Sequence, residues 1–218
     1  MKRAVALLVL IGAVMPIPAR AQTAGLQTAI ERAQEVIAAE QAFAALAQRS
    51  GQWTAFRAFA APDAVMFVPG PTPADQWLAG RNDPPQSVAW QPHRIIVSCD
   101  ATLAASTGAV QFPGGLNGVY TTIWARQADG GWRWIADDGG TVERPLPTAV
   151  TPEVEVADCP SSEGPDPQGF VPATEGRGAS RDATLLWDWQ PGASPGLRVS
   201  MWVGVRFAPI ILQGPPQP

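Results

Sequence analysis

Four short runs of alternating apolar residues, each closed by a turn sequence, constrain this chain more than any other feature. Arg94 to Ser98, Leu103 to Gln111, Val119 to Gln127 and Trp132 to Asp137 each read as a strand. Asp100-Ala101-Thr102, Pro113-Gly114-Gly115 and Asp129-Gly130-Gly131 separate them. Asp-Gly and Gly-Gly steps supply the positive φ that tight hairpins need, so the pattern predicts an antiparallel meander. The chain before it is helical in texture. Leu26 to Gln48 contains no Gly or Pro, and Ile30, Ala33, Val36, Ile37, Glu40, Phe43, Ala44 and Ala47 follow helical spacing, with Gly51 as the stop. A shorter helix is expected over Trp53 to Ala60 and a short strand over Ala64 to Val68. Pro69 to Pro73 is a turn, and one helical turn carrying Trp77 follows over Pro73 to Ala79. Helices first and a meander after make an α+β domain over residues 26–140.

The segment 141–182 changes character. Prolines recur at 145, 147, 152, 160, 165, 167 and 172 among Ser, Gly, Glu and Thr. Too little apolar surface is present to fold alone, so the segment reads as a linker or an extended strap tied back through Cys159. Over 183–212 foldable sequence returns. Thr184 to Trp189, Leu197 to Val203 and Arg206 to Leu212 read as a short C-terminal β-meander. Three strands of this length are marginal alone and are expected to pack on the main domain or on a partner. No internal repeat stands out.

The first 21 residues read as a cleavable signal peptide. Met1-Lys2-Arg3 is basic, Ala4 to Val14 is apolar, Met15-Pro16-Ile17-Pro18 breaks a helix, and Ala19-Arg20-Ala21 is an A-x-A cleavage site. The apolar run is short of the roughly 20 residues that span a bilayer, so no stable membrane anchor is expected and the destination is periplasmic or secreted. Cleavage after Ala21 removes Lys2, Arg3 and Arg20 from 15 basic residues, leaving 12 against 19 acidic ones, a net charge of −7. The mature chain has no Lys. Such a surface argues against nucleic acid and anionic lipid as partners, since both are held by clustered cations. Cys99 and Cys159, the two cysteines of the sequence, suggest one disulfide in an oxidising compartment. Two buried thiols or an intermolecular bridge are the alternatives. Two cysteines and the single His93 are too few for a zinc site.

Two stretches carry a family resemblance. Phe59-Ala60-Ala61-Pro62-Asp63-Ala64-Val65-Met66-Phe67-Val68-Pro69 resembles the aspartate-alanine-valine strand start of SnoaL-like domains. Gly130-Gly131-Trp132-Arg133-Trp134-Ile135-Ala136-Asp137-Asp138-Gly139 resembles their closing strand. Together they look like the nuclear transport factor 2-like superfamily, which includes ketosteroid isomerase and polyketide cyclases. The resemblance covers about residues 26–140. It implies a curved antiparallel sheet around N-terminal helices, a cone whose open end can hold an apolar small molecule. Members include isomerases, dehydratases and binding modules, so fold does not fix function.

The candidate chemistry is sparse. His93 can act as a general base, or be a rim residue with no chemistry. Asp137 and Asp138 end the fourth strand, and adjacent strand residues point to opposite faces, so at most one enters the cone. A carboxylate there would hold its proton to higher pH, whereas the plainer reading is a solvated turn acid. Ketosteroid isomerases pair a carboxylate base with a Tyr and a protonated Asp. Here Tyr120 is the lone tyrosine and lies on a late strand. Phe56, Phe67, Trp77, Trp90, Tyr120, Trp124 and Trp134 can line a pocket or simply fill the core. Arg57 and Arg126 can meet a ligand carboxylate or face solvent. No dinucleotide fingerprint, phosphate loop, G-x-S-x-G or H-E-x-x-H occurs, so no cofactor and no metal is assigned.

Three readings follow. The chain is an exported domain binding an apolar small molecule or a protein, without catalysis. Alternatively it is an isomerase- or dehydratase-like enzyme using Asp137 or Asp138 with His93. As a third reading, it is a structural domain forming a homodimer. The position of Leu185, Trp187 and Trp189 discriminates, because terminal strands that plug the cone would exclude a ligand.

Overall fold

The computed structural model describes residues 19–68, 70–147, 151–160, 165, 176–190 and 196–212, with backbone alone for 19–25 and 212. Most of the expected signal peptide, parts of the Pro-rich segment and the turn before the second C-terminal strand lie outside these residues.

Helix α1 spans Ala19–Ser50, α2 Gln52–Phe59 and α3 Ala74–Leu78. The first helix thus begins seven residues before the expected start at Leu26, because nothing between Ala19 and Gly25 breaks it. A seven-stranded sheet has β1 (Ala60–Phe67), β2 (Pro71–Pro73), β3 (Ala89–Val97), β4 (Leu103–Gln111), β5 (Asn117–Arg126), β6 (Trp132–Thr141) and β7 (Glu153–Val156). Their order is β2-β1-β6-β5-β4-β3-β7. The four strands β3 to β6 form the expected antiparallel meander. The flanks differ from the expectation: β1 joins β6, and β7 joins β3, in parallel, so the sheet is mixed. A parallel neighbour requires a long connection: β1 reaches β6 through β2, α3 and β3 to β5, and β3 reaches β7 through β4 to β6 and the start of the Pro-rich strap.

Strand β3 starts earlier than periodicity suggests and contains Pro92. The proline sits where the β3–β4 register shifts, a position that tolerates its missing N–H. Opposite it the chains approach so closely that a Cβ on Gly108 would lie 2.0 Å from the Gln91 carbonyl oxygen. Glycine is therefore required at 108.

A second sheet has β8 (Arg177–Ala179), β9 (Leu185–Gln190), β10 (Gly196–Trp202) and β11 (Phe207–Leu212) in the order β11-β10-β9-β8. It covers the outer face of the first. Leu185, Trp187, Leu197, Val199 and Met201 pack on Ile96, Leu103, Ala105, Ile123 and Ala136. The alternate residues Ile95, Val97, Ala104, Trp124 and Trp134 pack under the helices with Ala33, Val36 and Phe43. The result is three layers: helices, large sheet, small sheet. Both faces of the central strands are buried, which is why their sequences are apolar beyond simple alternation.

A short repeat ties the sheets together, although none stood out in the sequence. Ser98-Cys99-Asp100-Ala101-Thr102-Leu103 and Ser180-Arg181-Asp182-Ala183-Thr184-Leu185 differ at one position of six. Each forms the same turn. Asp100 accepts from the Ser98 hydroxyl and the Thr102 backbone N–H; Asp182 accepts from the Ser180 hydroxyl and the Thr184 backbone N–H. Both alanines adopt left-handed φ, 53° at Ala101 and 56° at Ala183. The turns then bond to each other reciprocally. The Asp100 N–H donates to the Asp182 carboxylate at 2.8 Å, and the Asp182 N–H to that of Asp100 at 3.0 Å. The Cys99 N–H reaches the Thr184 hydroxyl oxygen as the Arg181 N–H reaches that of Thr102. The pair is a pseudo-twofold clamp. Left-handed alanine costs about 1–2 kcal/mol per residue, which the shared hydrogen bonds offset.

Cys99 and Cys159 are disulfide-bonded, with Cα atoms 5.1 Å apart. The bond anchors the strap beside the clamp. The Ala157 N–H extends β7 by donating to the Val97 carbonyl, and the Asp158 N–H reaches the Trp202 carbonyl. Among the described residues no helix is long and apolar enough to cross a membrane.

Candidate functional site

Between the helices and the inner face of the large sheet lies a cavity of about 340 Å³. Its wall is aromatic and aliphatic: Phe43, Trp53, Phe56, Met66, Phe67, Trp77, Trp90, Val110 and Phe112 contribute. Its polar groups are few: Gln52, Arg81, Tyr120, Thr122 and Asp137. Apolar walls with a small polar set are the usual composition of a small-molecule pocket. No described residue of 183–212 lines it. Leu185 and Trp187 lie in the core on the far side of the sheet, and Trp189 stacks on Phe67 with centroids 5.8 Å apart. The terminal strands therefore do not plug the cavity.

Strand alternation sorts the two aspartates. Asp137 points into the cavity, beside Tyr120 and Thr122 of the neighbouring strand β5. Asp138 points the other way and accepts from the Leu197 N–H of the second sheet at 3.3 Å. Asp137 touches the cavity yet is surrounded by protein. Burial pushes its pKa up to about 8, with the nearby Glu40 and Asp138 charges adding in the same sense. The Thr122 hydroxyl donates to Asp137 Oδ2 at 2.7 Å and opposes that rise. Asp138 is also raised, mainly by burial.

Tyr120 is 6% exposed, and among the described residues its hydroxyl has no hydrogen-bond partner. Burial first, then Glu40 and Asp137, push its pKa well above the usual phenol value. Ser106 lies near enough to oppose this slightly while remaining outside hydrogen-bond geometry. Tyr120 thus stays a neutral O–H donor. An unsatisfied buried hydroxyl costs about 1–3 kcal/mol, so its retention at a cavity wall needs a reason.

Glu40, which sequence reasoning did not place in the site, lies behind this wall. It sits on the apolar stripe of α1 and is fully buried. The Trp90 indole N–H donates to its Oε1 at 2.7 Å, the Trp124 indole N–H donates to its Oε2 at 3.0 Å, and the Ser106 hydroxyl bonds to Oε2. Burial raises its pKa, and the three bonds oppose the rise. A glutamate among Ala, Val and Phe at helical spacing was the available signal.

Several sequence candidates fall elsewhere. His93 sits at the register shift of β3 and does not line the cavity; burial lowers its pKa. It is not brought to Asp137, because the bulge at Pro92 and two intervening strands separate them. Arg57 is exposed, is not among the residues lining the cavity, and donates to the Leu78 and Arg81 carbonyls, tying α2 to the end of α3. Trp124 and Trp134 are fully buried core residues outside the cavity lining. Arg126 lies 4.0 Å from Glu35, away from the cavity. Phe56, Phe67, Trp77, Trp90 and Tyr120 do line it. Trp53 and Arg81, not singled out in the sequence, complete its rim. The Arg81 guanidinium carbon lies 3.7 Å from the Trp77 ring centroid, and Trp77 meets Trp53 edge-on at 4.8 Å. Among the described residues no group of acids, His and Cys has the makings of a metal site.

Fold and site together define an α+β domain with helices on a curved mixed sheet, an apolar cavity between them, and a second antiparallel sheet behind. No protein-family model matches the chain, and no curated protein matches it. Among solved structures it is similar to an NTF2-like protein of unknown function from Shewanella baltica OS155. Identity is 13% and the TM-score 0.39, over 55% of this chain and 97% of that one.

Proposed function

We propose that this chain binds an apolar small molecule in the helix–sheet cavity and holds one ligand oxygen, a carbonyl or hydroxyl, through Tyr120. The observation that carries this is the largely apolar cavity with Tyr120 in its wall, whose buried hydroxyl has no hydrogen-bond partner among the described residues. Burying the ligand body supplies the affinity, and the single donor orients it. A protonated Asp137 adds a second donor on the same strand pair. The element order, a long helix, a short helix, a strand and then four antiparallel strands, supports placing residues 26–140 with the nuclear transport factor 2-like superfamily.

Binding is tested by calorimetry with 2-acetylnaphthalene against 2-ethylnaphthalene, which lacks the oxygen. A Tyr120→Phe variant is expected to weaken the ketone about fivefold to tenfold, the worth of one buried hydrogen bond, and to leave the hydrocarbon unchanged. Equal losses for both probes, or no binding of either, would sink the assignment.

A second reading is favoured by Asp137 alone. A carboxyl whose pKa lies near 8 in an apolar cavity is poised to exchange a proton with carbon next to a carbonyl. It would act without His93, which lies outside the cavity. Export is proposed as well. The basic start, apolar run and A-x-A site support it, and the disulfide fits an oxidising compartment. Intact mass of the protein recovered from a secretion-competent bacterium is expected to match a chain beginning at Gln22. A retained Met1 would contradict it.

A further inference from the structure

We propose that the ligand of this cavity is an apolar carboxylic acid whose carboxylate is gripped by Arg81 at the rim. This rests on the ligand-binding reading above and adds the chemical class of the ligand.

Arg81 is the one cationic residue among those lining the cavity. Its presentation is unusually fixed for an exposed side chain. Its Nε donates to the Trp77 carbonyl at 3.1 Å, and its guanidinium lies flat enough on Trp77 to approach the ring centroid within 3.7 Å. Trp53 meets Trp77 edge-on, and the Arg81 guanidinium carbon lies 6.0 Å from the Trp53 ring centroid as well. The backbone is held too, since the Arg81 carbonyl accepts from Arg57. A guanidinium fixed in this way loses little rotamer freedom when its remaining N–H groups grip a carboxylate.

Among the described residues nothing already occupies that grip. Arg81 makes no ion pair among the described residues, whereas Arg32, Arg94 and Arg198 each face a carboxylate. The acids nearest in sequence are engaged elsewhere. Asp83 accepts from the Thr54 backbone N–H and hydroxyl, and Asp75 from the Gln76 N–H. The cavity therefore grades from an exposed, unpaired cation at Arg81, through aromatic walls, to the buried hydroxyl of Tyr120. A molecule matching that gradient has an acid at one end, an apolar body, and an oxygen at the other. A cation held over an indole face is still available to an anion, because the ring quadrupole neutralises only part of its charge.

The test uses the full mature protein with 2-naphthoic acid and its methyl ester at low salt. The acid is expected to bind at least about tenfold tighter than the ester, with the difference shrinking as salt is added. In Arg81→Gln the acid is expected to fall to the level of the ester while the ester is unchanged. Arg81→Lys should restore part of the preference, since it keeps the charge and loses the fork. Equal binding of acid and ester, or an acid preference that survives Arg81→Gln, overturns the proposal and leaves the cavity reading standing. If neither naphthoate probe binds while the neutral ketone does, the same holds. If no naphthyl probe binds, the proposal and the cavity reading fall together.

Discussion

Opening the Cys99–Cys159 disulfide, by reductant or in a C99S/C159S double variant, is expected to lower the unfolding free energy by about 4 kcal/mol. The bond closes a loop of 60 residues, and chain-entropy arguments give about that value for a loop of this length. The tertiary setting magnifies the consequence. Strand β7 is four residues long and pairs along one edge, so besides the disulfide the strap is held to β3 by that short pairing, the Arg94–Glu155 ion pair and the Ala157 N–H bond to Val97. Cys99 also lies inside the first turn of the clamp, and its N–H donates to Thr184. Loss of the bond should loosen β7 first and then the junction of the two sheets. Urea unfolding with and without reductant measures the stability change. Hydrogen exchange should show early loss of protection at Ala157, whose N–H extends β7 onto Val97. A stability change below about 1 kcal/mol would mean that the β7 pairing and the clamp hold the strap unaided.

Stability is expected to fall as pH rises from about 4 to 8, and an Asp137→Asn variant should flatten that fall. Unfolded Asp titrates near 3.9. Folded Asp137 keeps its proton to about pH 8. Across that window the folded state binds a proton that the unfolded state has released, so the unfolding free energy decreases with pH. The contribution is fully present below about pH 4 and lost as pH passes about 8. Glu40 and Asp138, also raised by burial, act in the same sense. His93, lowered by burial, acts in the opposite sense around and below its ordinary value of 6.5. Because Asp137 touches the cavity, solvent there screens part of the effect. At pH 9 the Asn variant should exceed the wild type by on the order of 2 kcal/mol, and the two should converge near pH 4. Parallel curves from pH 4 to 9 would show that Asp137 titrates like a surface acid. Deuterium exchange at the methyl group of bound 2-acetylnaphthalene, followed by NMR, tests proton transfer separately. The acid–base reading requires exchange that the Asn variant abolishes.

Much of the architecture was legible because it is local. Alternation and turn chemistry located β3 to β6 within a few residues, and helical spacing located α1 and α2. The three C-terminal strands were readable on the same grounds, whereas the disulfide was expected from the presence of two cysteines and an oxidising compartment, with free thiols or an intermolecular bridge as the alternatives. The parallel pairings of β1 and β7 were not, since a strand's neighbour depends on where a long connection returns. The internal repeat was also missed. Six residues recurring far apart look like chance until both turns are seen bonding to each other.

The site divides along the same line. Strand period alone required that Asp137 and Asp138 face opposite ways. Only the packing of the second sheet decided which of them faces the cavity, by taking Asp138 to Leu197. His93 and Trp124 were reasonable candidates by residue type, and the fold sent one to a bulge and the other into the core. Glu40 and Arg81 were visible as residues, but their roles come from groups distant in the chain: Ser106 and Trp124 for the first, the open cavity for the second. The sequence by itself determined the elements, the turns and the two faces of each strand, because those follow from contacts between near neighbours. Which face meets helices, which meets the second sheet, and which polar groups are left facing a cavity were decided by tertiary packing, where burial and long-range hydrogen bonds set the environment of each side chain.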